Sequence, residues 1–515
     1  MKFVTKRFQQ SDLLLLVVAI LAVALYVLTA NGGFPLDDSW IHQVYGRNLA
    51  ETGMWAFVPG VPSAASTSPM YTVLLAVGYK LGISFKLWTY ALGIVALWAA
   101  GMLGGRMAER MLPNRSYARL YGGLSVILAW HLVWAAASGM ETMLFSMWTL
   151  VLLYVGWQEL DERSQKTGHI LLRGAAFGVS AAFATITRPE GVALAGLIGL
   201  VILLVQPQKS FRIFIIWAIG AVIAFLIAIS PYFALNLHLT GGLLPDTAAA
   251  KQAENAPLLL DSYPTRIVSM LMPLVAGVQI FFVPGVIFFV IQQLRGFRED
   301  KRTLLLIVPV LWSLGLIALY AARLPAYYQH GRYVIPALPA FIVVGVAGTI
   351  QLVNVARKSV AGRVLTRSLA ISLVLALAFF FFQGAGVYAR DVKIIDEEMV
   401  ASAHWIKDNI PADQMLAIHD IGAVGYFAPR PMLDLAGLVS PEIIPFILDR
   451  DQLWQWLQQK NARYLMAFPD QIPGDDIHDP HLCPIFTTGG QASIQAGGPN
   501  MTVYELTWSG ICPKP

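Results

Sequence analysis

Long apolar stretches alternate with short polar ones through the first three quarters of the sequence. They predict eleven membrane-spanning helices, at about 13–30, 85–105, 120–137, 140–157, 170–186, 191–206, 213–234, 267–294, 303–321, 333–353 and 368–387. Most are close to the ~20 residues that a helix needs to cross about 30 Å of hydrocarbon. The first stretch follows Lys2, Lys6 and Arg7 but is long for a signal peptide and lacks a small-residue cleavage site. We therefore predict that it is a retained span.

Two polar segments between these spans are too long to be simple turns. The first polar segment, 31–84, contains two amphipathic stretches, DDSWIHQVYGRNLAETG and TSPMYTVLLAVGYKLG. We predict two helices that lie at the membrane interface, the first with acids at its N-terminus that can cap it. The second polar segment, 235–265, contains NLHLTGGLLPDTAAAKQAENAP.

The C-terminal part of the chain, 390–515 (the tail), has a different pattern. It predicts helices near 392–409 and 441–460, a loop HDIGAVGYFAPR, and strands at QMLAI, PMLDL, ARYLMAF and MTVYEL. The predicted fold class is therefore an all-α polytopic membrane domain at 1–389, followed by a small α/β domain at 390–515.

The composition agrees with a membrane protein. Of 515 residues, 57% are hydrophobic and 13% are charged, about half of the roughly 25% charged residues usual for soluble domains. Residues 1–389 contain 28 Lys and Arg against 15 Asp and Glu, whereas the tail contains 8 against 16. No run of basic residues interleaved with aromatics suggests a nucleic-acid groove. Soluble, disordered and fibrous classes are excluded.

Basic residues also predict the orientation of the chain. Alternate loops hold 20 and 8 Lys and Arg, and the richer set includes the N-terminus. Because cytoplasmic loops are enriched in these residues, we expect a cytoplasmic N-terminus and, with an odd number of spans, a tail outside the cell (inner) membrane, on the periplasmic or extracytoplasmic side. Cys483 and Cys512 lie in the tail, where a disulfide is chemically possible. The sequence is equally compatible with two free thiols.

Ionisable residues are rare in the middle of the predicted spans but collect at their outer ends. Because such residues are costly near a bilayer and usually functional, they are the candidate site residues: Asp37, Asp38, His42, Glu141, Arg188, Glu190, Asp246, Lys251, His330 and Arg332. In the tail, His419 and Asp420 could contact a substrate, although a role in the turn is the simpler interpretation.

Four motifs in order, DDSWI, SGMET, TRPEG and the Pro-Asp-Thr…Ala-Lys of 245–251, resemble those of the GT-C membrane glycosyltransferases. The likeness is greatest to the arabinofuranosyltransferase-type branch, and relatives include the protein O-mannosyltransferases and the lipid A aminoarabinose transferases. It covers about 1–390, and HDIGAVGYF and LDLAGLVSPE extend it less specifically into the tail. The resemblance implies a polyprenyl-phosphate sugar as donor and a glycan or lipid hydroxyl of the cell envelope as acceptor.

This chemistry needs a base for the acceptor proton and positive charge for the leaving phosphate. Asp37 or Asp38 would supply the base in an inverting transfer, and Lys251, Arg332 and His330 the positive charge. Each candidate also has a structural interpretation: an acid can cap a helix, Glu141 can pair with Arg188, and His42 can be a packing partner. The acid pair could hold a divalent ion, but nearby acids are few, so we favour a reaction without metal or other cofactor.

Three other classes of function remain open from the sequence. A transporter or lipid flippase would place charges at the bilayer midplane, often within inverted repeats, and neither is visible here. A polysaccharide polymerase or ligase with a lipid-diphosphate donor would share the carrier lipid and the outer arginines. A non-catalytic assembly subunit would use the tail as an interaction module.

Overall fold

The computed structural model describes residues 10–113, 115, 117–162, 164–243 and 245–512. Four basic residues that contributed to the orientation count, Lys2, Lys6, Arg7 and Arg163, lie outside the described residues. Within these ranges the chain is mostly helical, and a five-stranded sheet forms in the tail.

The described residues form helices with the following bounds. In chain order they are α1 (Gln10–Thr29), α2 (Asp38–Thr52), α3 (Pro69–Lys80), α4 (Phe85–Met111), α5 (Ala118–Ile127), α6 (Trp130–Ala137), α7 (Thr142–Gln158), α8 (Thr167–Thr187), α9 (Gly191–Val205), α10 (Phe211–Thr240), α11 (Thr247–Glu254), α12 (Tyr263–Met270), α13 (Met272–Val275), α14 (Val283–Gly296), α15 (Thr303–Arg323), α16 (Tyr328–Gly331), α17 (Leu338–Ala356), α18 (Val360–Ile395), α19 (Ala401–Asn409), α20 (Ile421–Phe427), α21 (Arg450–Gln459) and α22 (Gln491–Gln495).

Apolar helices coincide with all eleven predicted spans. Among the described residues, eight helical segments are long and apolar enough to cross a membrane, and the pair α5 and α6, bent by 57°, makes a ninth if it is one span. The remaining two predicted spans correspond to the shorter apolar helices α7 and α9. The protein is therefore a multi-pass membrane protein, while the number of spans and their orientation stay predictions.

One predicted span begins later than expected. The sequence predicted a helix from 267 to 294, but α12 and α13 are short, and the apolar segment starts at Val278. Pro273 lies in the first turn of α13, and Gly277 is fully extended. A proline without a backbone N–H and an extended glycine together interrupt the helical hydrogen bonds, which separates α12 and α13 from the apolar segment.

The first polar segment folds as expected into two helices, α2 and α3, joined by the hairpin β1 (Ala56–Val58) and β2 (Val61–Pro62). Helix α2 ends at Gly53, whose φ of 72° lies in the left-handed region that favours glycine. The two predicted helices are thus confirmed, while their position at the membrane interface stays a prediction.

The tail forms a mixed sheet of five strands in the order β4-β3-β5-β7-β6. Strands β3 (Leu416–Ile418), β4 (Met432–Asp434) and β5 (Tyr464–Ala467) are parallel, whereas β6 (Leu482–Thr487) and β7 (Thr502–Leu506) are antiparallel. The predicted α/β character is confirmed, and a disulfide joins Cys483 to Cys512 with Cα atoms 5.5 Å apart.

Two details of the tail differ from the sequence predictions. The prediction of a loop at HDIGAVGYFAPR is wrong for the centre of this segment, because α20 forms there. Strand β6 and helix α22 were not predicted. Gly422 and Gly425 make the α20 sequence resemble a loop, but both are buried, and a side chain at Gly425 would meet the Phe57 ring 2.3 Å away. Close packing against the first polar segment therefore favours glycine within this helix.

The tail and the first polar segment share one hydrophobic core. Phe34, Trp40 and Tyr45 belong to the same buried cluster as Ile418 and Val424. A second cluster lies wholly within the tail. The domain boundary predicted at 389/390 falls inside α18, which crosses it without interruption and continues through a π-turn (Asp396–Val400) into α19; it stays a prediction.

Candidate active site

A cavity of about 310 Å³ lies where α2, α7, α11, α15 and the loop between α8 and α9 meet. Seven of the ten candidates from the sequence line it: Asp38, His42, Glu141, Arg188, Glu190, Lys251 and Arg332. These residues are far apart in the chain and were selected because they lie at predicted outer helix ends. In the structure they line one cavity. Its volume is at the lower end of the roughly 300–1,000 Å³ typical of small-ligand sites.

Local structure explains how the polar side chains reach this cavity. Asp38 and His42 are four residues apart on α2 and therefore lie on the same face of the helix. Glu141 precedes α7, after a turn in which Gly139 has φ of 76°. Arg188 is extended between α8 and α9 because the following proline disfavours a helical conformation at that position.

Asp38, Lys251 and Arg332 form one group, which we call the Asp38 cluster. The Arg332 Nη2 donates to Asp38 Oδ2 at 2.5 Å and to the Tyr333 hydroxyl at 3.1 Å. Lys251 Nζ donates to Glu254 Oε2 at 3.1 Å. The Nε and Nη1 groups of Arg332 are buried and have no hydrogen-bond partner among the described residues.

The charges in the Asp38 cluster hold one another ionised. Burial would raise the pKa of Asp38, but the positive charges of Arg332 and Lys251 outweigh it and hold that pKa below its ordinary value. Burial would likewise lower the pKa of Lys251, but Glu254 and Asp38 raise it. Asp38 is therefore a carboxylate, and Lys251 an ammonium, across the physiological pH range.

His42, Glu141, Arg188 and Glu190 form the second group, the Arg188 cluster. Arg188 donates to Glu141 at 3.2 Å, to both carboxylate oxygens of Glu190 and to the Tyr320 hydroxyl at 2.6 Å. His42 Nε2 lies 3.2 Å from Glu141. Burial would raise the pKa of Glu141, but the bond from His42 and the charge of Arg188 lower it to about 2. Each nitrogen of the Arg188 guanidinium has a partner.

Asp37 does not line the cavity, and the expected cap on its own helix does not form. Its carboxylate instead accepts the backbone N–H groups of Gly422 and Ala423 at 2.6 and 2.8 Å, at the N-terminus of α20 in the tail. Burial and the nearby Asp420 raise the pKa of Asp37 to about 8, although the two N–H groups act in the opposite direction. The two adjacent acids thus have different surroundings and separate contacts.

His330 and Asp246, both predicted to bind substrate, lie outside the cavity lining. His330 Nε2 is 2.7 Å from Asp391 on α18, and its ring contacts the edges of Trp130 and Trp134. Asp246 is exposed and precedes α11 without a capping bond. Their predicted roles stay predictions.

The turn that leads to Arg332 has an uncommon backbone. Gln329, His330 and Gly331 all have left-handed φ values, 53°, 59° and 66°, a conformation that costs roughly 1–3 kcal/mol for each residue other than glycine. The bond from His330 to Asp391 fixes this turn and so directs the next side chain, Arg332, towards Asp38.

The lining residues that were not selected from the sequence include Gln252, Tyr320, Arg323 and Tyr333. Arg323 is exposed and has no ion-pair partner within the described ranges. Tyr333 follows Arg332 directly, and Glu254, the partner of Lys251, lies one helical turn after it. Proximity to a candidate in the sequence could therefore have indicated both residues. Tyr320 had no such signal, because it is an uncharged residue within an apolar helix.

The two acids of the pair are bonded to other groups, and a reaction without a metal stays a prediction. Asp37 is bonded to backbone N–H groups and Asp38 to a guanidinium. Over the part of the chain that the structure describes, no three His, Cys, Asp or Glu side chains lie close enough to share a metal ion. Hard cations require several oxygen ligands, so this donor set does not fit one.

Comparison with known proteins identifies the fold. Residues 390–504 match a family model described as a domain of unknown function, DUF8728, and no curated protein sequence is significantly similar to the chain. ArnT from Cupriavidus metallidurans, solved bound to undecaprenyl phosphate, superimposes with a TM-score of 0.60 at 15% identity, over 97% of this chain and 99% of that one.

Two further solved structures have the same architecture. The oligosaccharyltransferase AglB from Archaeoglobus fulgidus, in complex with an inhibitory peptide and a dolichol-phosphate, gives a TM-score of 0.56 at 11% identity, over 97% of this chain and 75% of that one. The mycobacterial arabinofuranosyltransferase AftD gives 0.54 at 16% identity, over 96% and 40%. All three are GT-C glycosyltransferases. The protein has the GT-C fold, which confirms the resemblance noted in its motifs; the arabinofuranosyltransferase-type branch stays a prediction.

Proposed function

We propose that the protein is a membrane glycosyltransferase. It transfers a sugar from a polyprenyl-phosphate donor to a hydroxyl group of a cell-envelope glycan or glycolipid, at the outer face of the membrane. The GT-C fold supports this proposal, and so do the polyprenyl phosphates in two similar structures: ArnT is bound to undecaprenyl phosphate and AglB to a dolichol-phosphate.

The observation that carries the proposal is the unused hydrogen-bonding capacity of Arg332. Two of its buried nitrogens, Nε and Nη1, have no partner among the described residues, and Lys251 lines the same cavity. Other arginines, among them Arg119 and Arg173, also have buried nitrogens without a hydrogen-bond partner in the described ranges, but those of Arg332 belong to a residue that lines the cavity. An arginine with free N–H groups and an adjacent lysine are suited to a phosphate, which the guanidinium binds through two oxygens.

The proposed reaction is one displacement. The acceptor oxygen attacks the anomeric carbon, and its proton passes to the Asp38 carboxylate. The bond between that carbon and the phosphate oxygen breaks, its electron pair stays on the phosphate, and Arg332 and Lys251 stabilise the added charge. A single displacement inverts the anomeric carbon and needs no carboxylate nucleophile, no metal and no other cofactor.

Binding of the donor also improves Asp38 as a base. Without a ligand, Arg332 and Lys251 direct their positive charge at this carboxylate and hold its pKa low. A bound phosphate draws the same two cations towards itself, so the pKa of Asp38 rises when the substrate is present. The base therefore gains strength only in the donor complex, which limits its reaction with other proton donors.

Two observations support an outer location for the site. The basic residues favour the opposite set of loops by 20 to 8. The disulfide between Cys483 and Cys512 belongs to an oxidising compartment, and the tail that contains it also provides Leu438 to the cavity wall.

The test is a panel of purified polyprenyl-phosphate sugars, which includes arabinofuranose, other pentoses and hexoses, incubated with the full-length protein and envelope glycan acceptors. We expect release of polyprenyl phosphate with one donor and a product of inverted anomeric configuration. Release of a diphosphate, or transfer only from lipid-diphosphate donors, would replace this proposal with the polymerase or ligase alternative.

A further inference from the structure

The tail contacts both polypeptide segments that carry the Asp38 cluster. The first turn of α20 places the backbone N–H groups of Gly422 and Ala423 on the Asp37 carboxylate, next to Asp38. A side chain at Gly422 would lie 2.1 Å from the Asp37 carbonyl oxygen, so the two backbones are in direct contact. From the short connection between β3 and α20, His419 Nε2 reaches Glu254 Oε1 at 3.0 Å. Glu254 is on α11, the helix that carries Lys251.

Helix α11 is also packed against the tail by apolar contact. Ala250 is fully buried in the core that the tail shares with the first polar segment. Its Cβ lies 3.5 Å from the position of a Cβ built on Gly437, just before Leu438, which lines the cavity. The distance from the tail to Lys251 is therefore fixed, and the contact of His419 with Glu254 is part of a packed interface.

Glu254 is shared between two cations. One oxygen accepts from His419 at 3.0 Å and the other from Lys251 at 3.1 Å. The second ring nitrogen of His419 lies 3.4 Å from Asp420. An imidazole that faces a carboxylate from each nitrogen donates from both only when it is protonated. His419 is therefore a cation that shares Glu254 with Lys251 and competes for its negative charge.

We infer that the tail, whose matching family has no assigned function, tunes the anion site: His419 competes with Lys251 for Glu254 and thereby leaves Lys251 free to bind the phosphate of a lipid. This inference rests on the proposed function, in which Lys251 holds the donor phosphate. His419 is a positioning residue, since it acts through Glu254 and does not line the cavity. Without its charge, Glu254 would neutralise Lys251 more completely.

The experiment measures the affinity of the full-length protein, in lipid nanodiscs, for undecaprenyl phosphate as the probe. His419→Asn should weaken binding by roughly 5-fold or more, within the range of direct couplings, with little change in kcat. Glu254→Gln removes the competitor, so binding should be unchanged or tighter. In the Glu254→Gln background, His419→Asn should have no further effect, whereas a merely structural role would weaken binding equally in both backgrounds.

His481→Asn is the matched control, because this histidine lies in the same tail but bonds to Asp479 and not to α11. His419→Gln is a second variant that keeps an N–H donor without the charge, and it should show most of the His419→Asn effect. If wild-type protein binds the probe and both His419 variants bind it equally well, this inference alone is overturned. If the wild type does not bind the probe, the proposed function fails and the inference fails with it.

Discussion

The Asp38 cluster and the Arg188 cluster line the same cavity, and their residues on α2, Asp38 and His42, are one helical turn apart. Their arginines differ in how many guanidinium nitrogens have a hydrogen-bond partner. All three nitrogens of Arg188 are bonded to Glu141, Glu190 or Tyr320. Arg332 uses one nitrogen and leaves two buried and unpaired among the described residues. Of these two arginines, Arg332 is the one with unpaired donors to offer a ligand.

The acids differ in the same way. The Asp38 side chain is 26% exposed, whereas those of Glu141 and Glu190 are 4% and 13% exposed. A base must reach the proton that it removes, so the more exposed Asp38 is the better candidate of the three. The comparison teaches that residues chosen for one charge pattern divide into a reactive group and a supporting group, according to the unpaired donors of the arginine and the exposure of the acid.

The largest expected effect concerns the acid pair. Asp38→Asn keeps the shape but cannot accept the proton, so we expect turnover to fall by roughly 10²-fold or more, as measured by release of polyprenyl phosphate from the active donor. Asp37→Asn is the matched control and should keep much of its activity, because it can still accept one backbone N–H. If both variants turn over near the wild-type rate, the base is elsewhere, and Glu141 or Glu190 is the next candidate.

The second prediction separates the two arginines. Arg332→Ala removes charge-assisted hydrogen bonds to the phosphate, each worth about 1.5–3 kcal/mol, so donor affinity should fall roughly 10- to 150-fold; Lys251→Ala should act in the same direction. Arg188→Ala should instead lower the melting temperature, because it leaves Glu141 and Glu190 buried without a cation. Equal loss of donor affinity in Arg332→Ala and Arg188→Ala would remove the distinction between the clusters.

Backbone strain before Arg332 provides a smaller effect. Gln329→Gly should stabilise the protein by about 1 kcal/mol, because glycine adopts the left-handed conformation without steric cost. Thermal unfolding in detergent measures this change. Gln351→Gly is the control with opposite sign, since Gln351 lies within α17 and glycine there costs about 1 kcal/mol. A lower melting temperature for Gln329→Gly would contradict the strained turn.

The smallest expected effect is a pH dependence at the contact between the tail and α11. Burial would lower the pKa of His419, but its bonds to Asp420 and Glu254 raise it to about 10. Glu254, with its pKa lowered to about 2, Lys251 and Asp434 are further charged groups around His419. Because the folded pKa exceeds the unfolded value of about 6.5, this stabilisation is complete below pH 6.5 and is lost as pH rises through 10.

The difference in melting temperature between the wild type and His419→Gln should therefore be largest near pH 6. This difference should decrease by a few degrees towards pH 10. His481→Gln serves as the control, because its ring contacts Asp479 and not the α11 carboxylate. A constant difference between wild type and His419→Gln across this range would mean that His419 is not charged in the fold.

Much of the fold could be predicted from the sequence, because a long apolar run has one main requirement, which is to be removed from water. Each predicted span matches an apolar helix, and seven of ten candidates meet in the cavity because costly ionisable residues stay only where they are used. The sequence did not separate Asp37 from Asp38, since the partner that distinguishes them, Gly422, is 385 positions away.

Other features depended on contacts that no local pattern encodes. Helix α20 contains two glycines and is short, so its sequence favoured a loop, yet packing against α2 and the Asp37 carboxylate stabilise it. His330 points at Asp391 rather than into the cavity because three successive residues take left-handed φ values, which only the tertiary structure can impose.

The core that joins the first polar segment to the tail has a consequence for biosynthesis. Phe34, Trp40 and Tyr45 leave the ribosome more than 350 residues before Ile418 and Val424, their partners in that core. Domains that fold during synthesis usually complete N-terminal units first, but this segment must wait until nearly the whole chain has been inserted. We expect protease sensitivity around residues 54–66 to disappear only when the tail is complete. The proposed active site therefore forms in the last stage of synthesis.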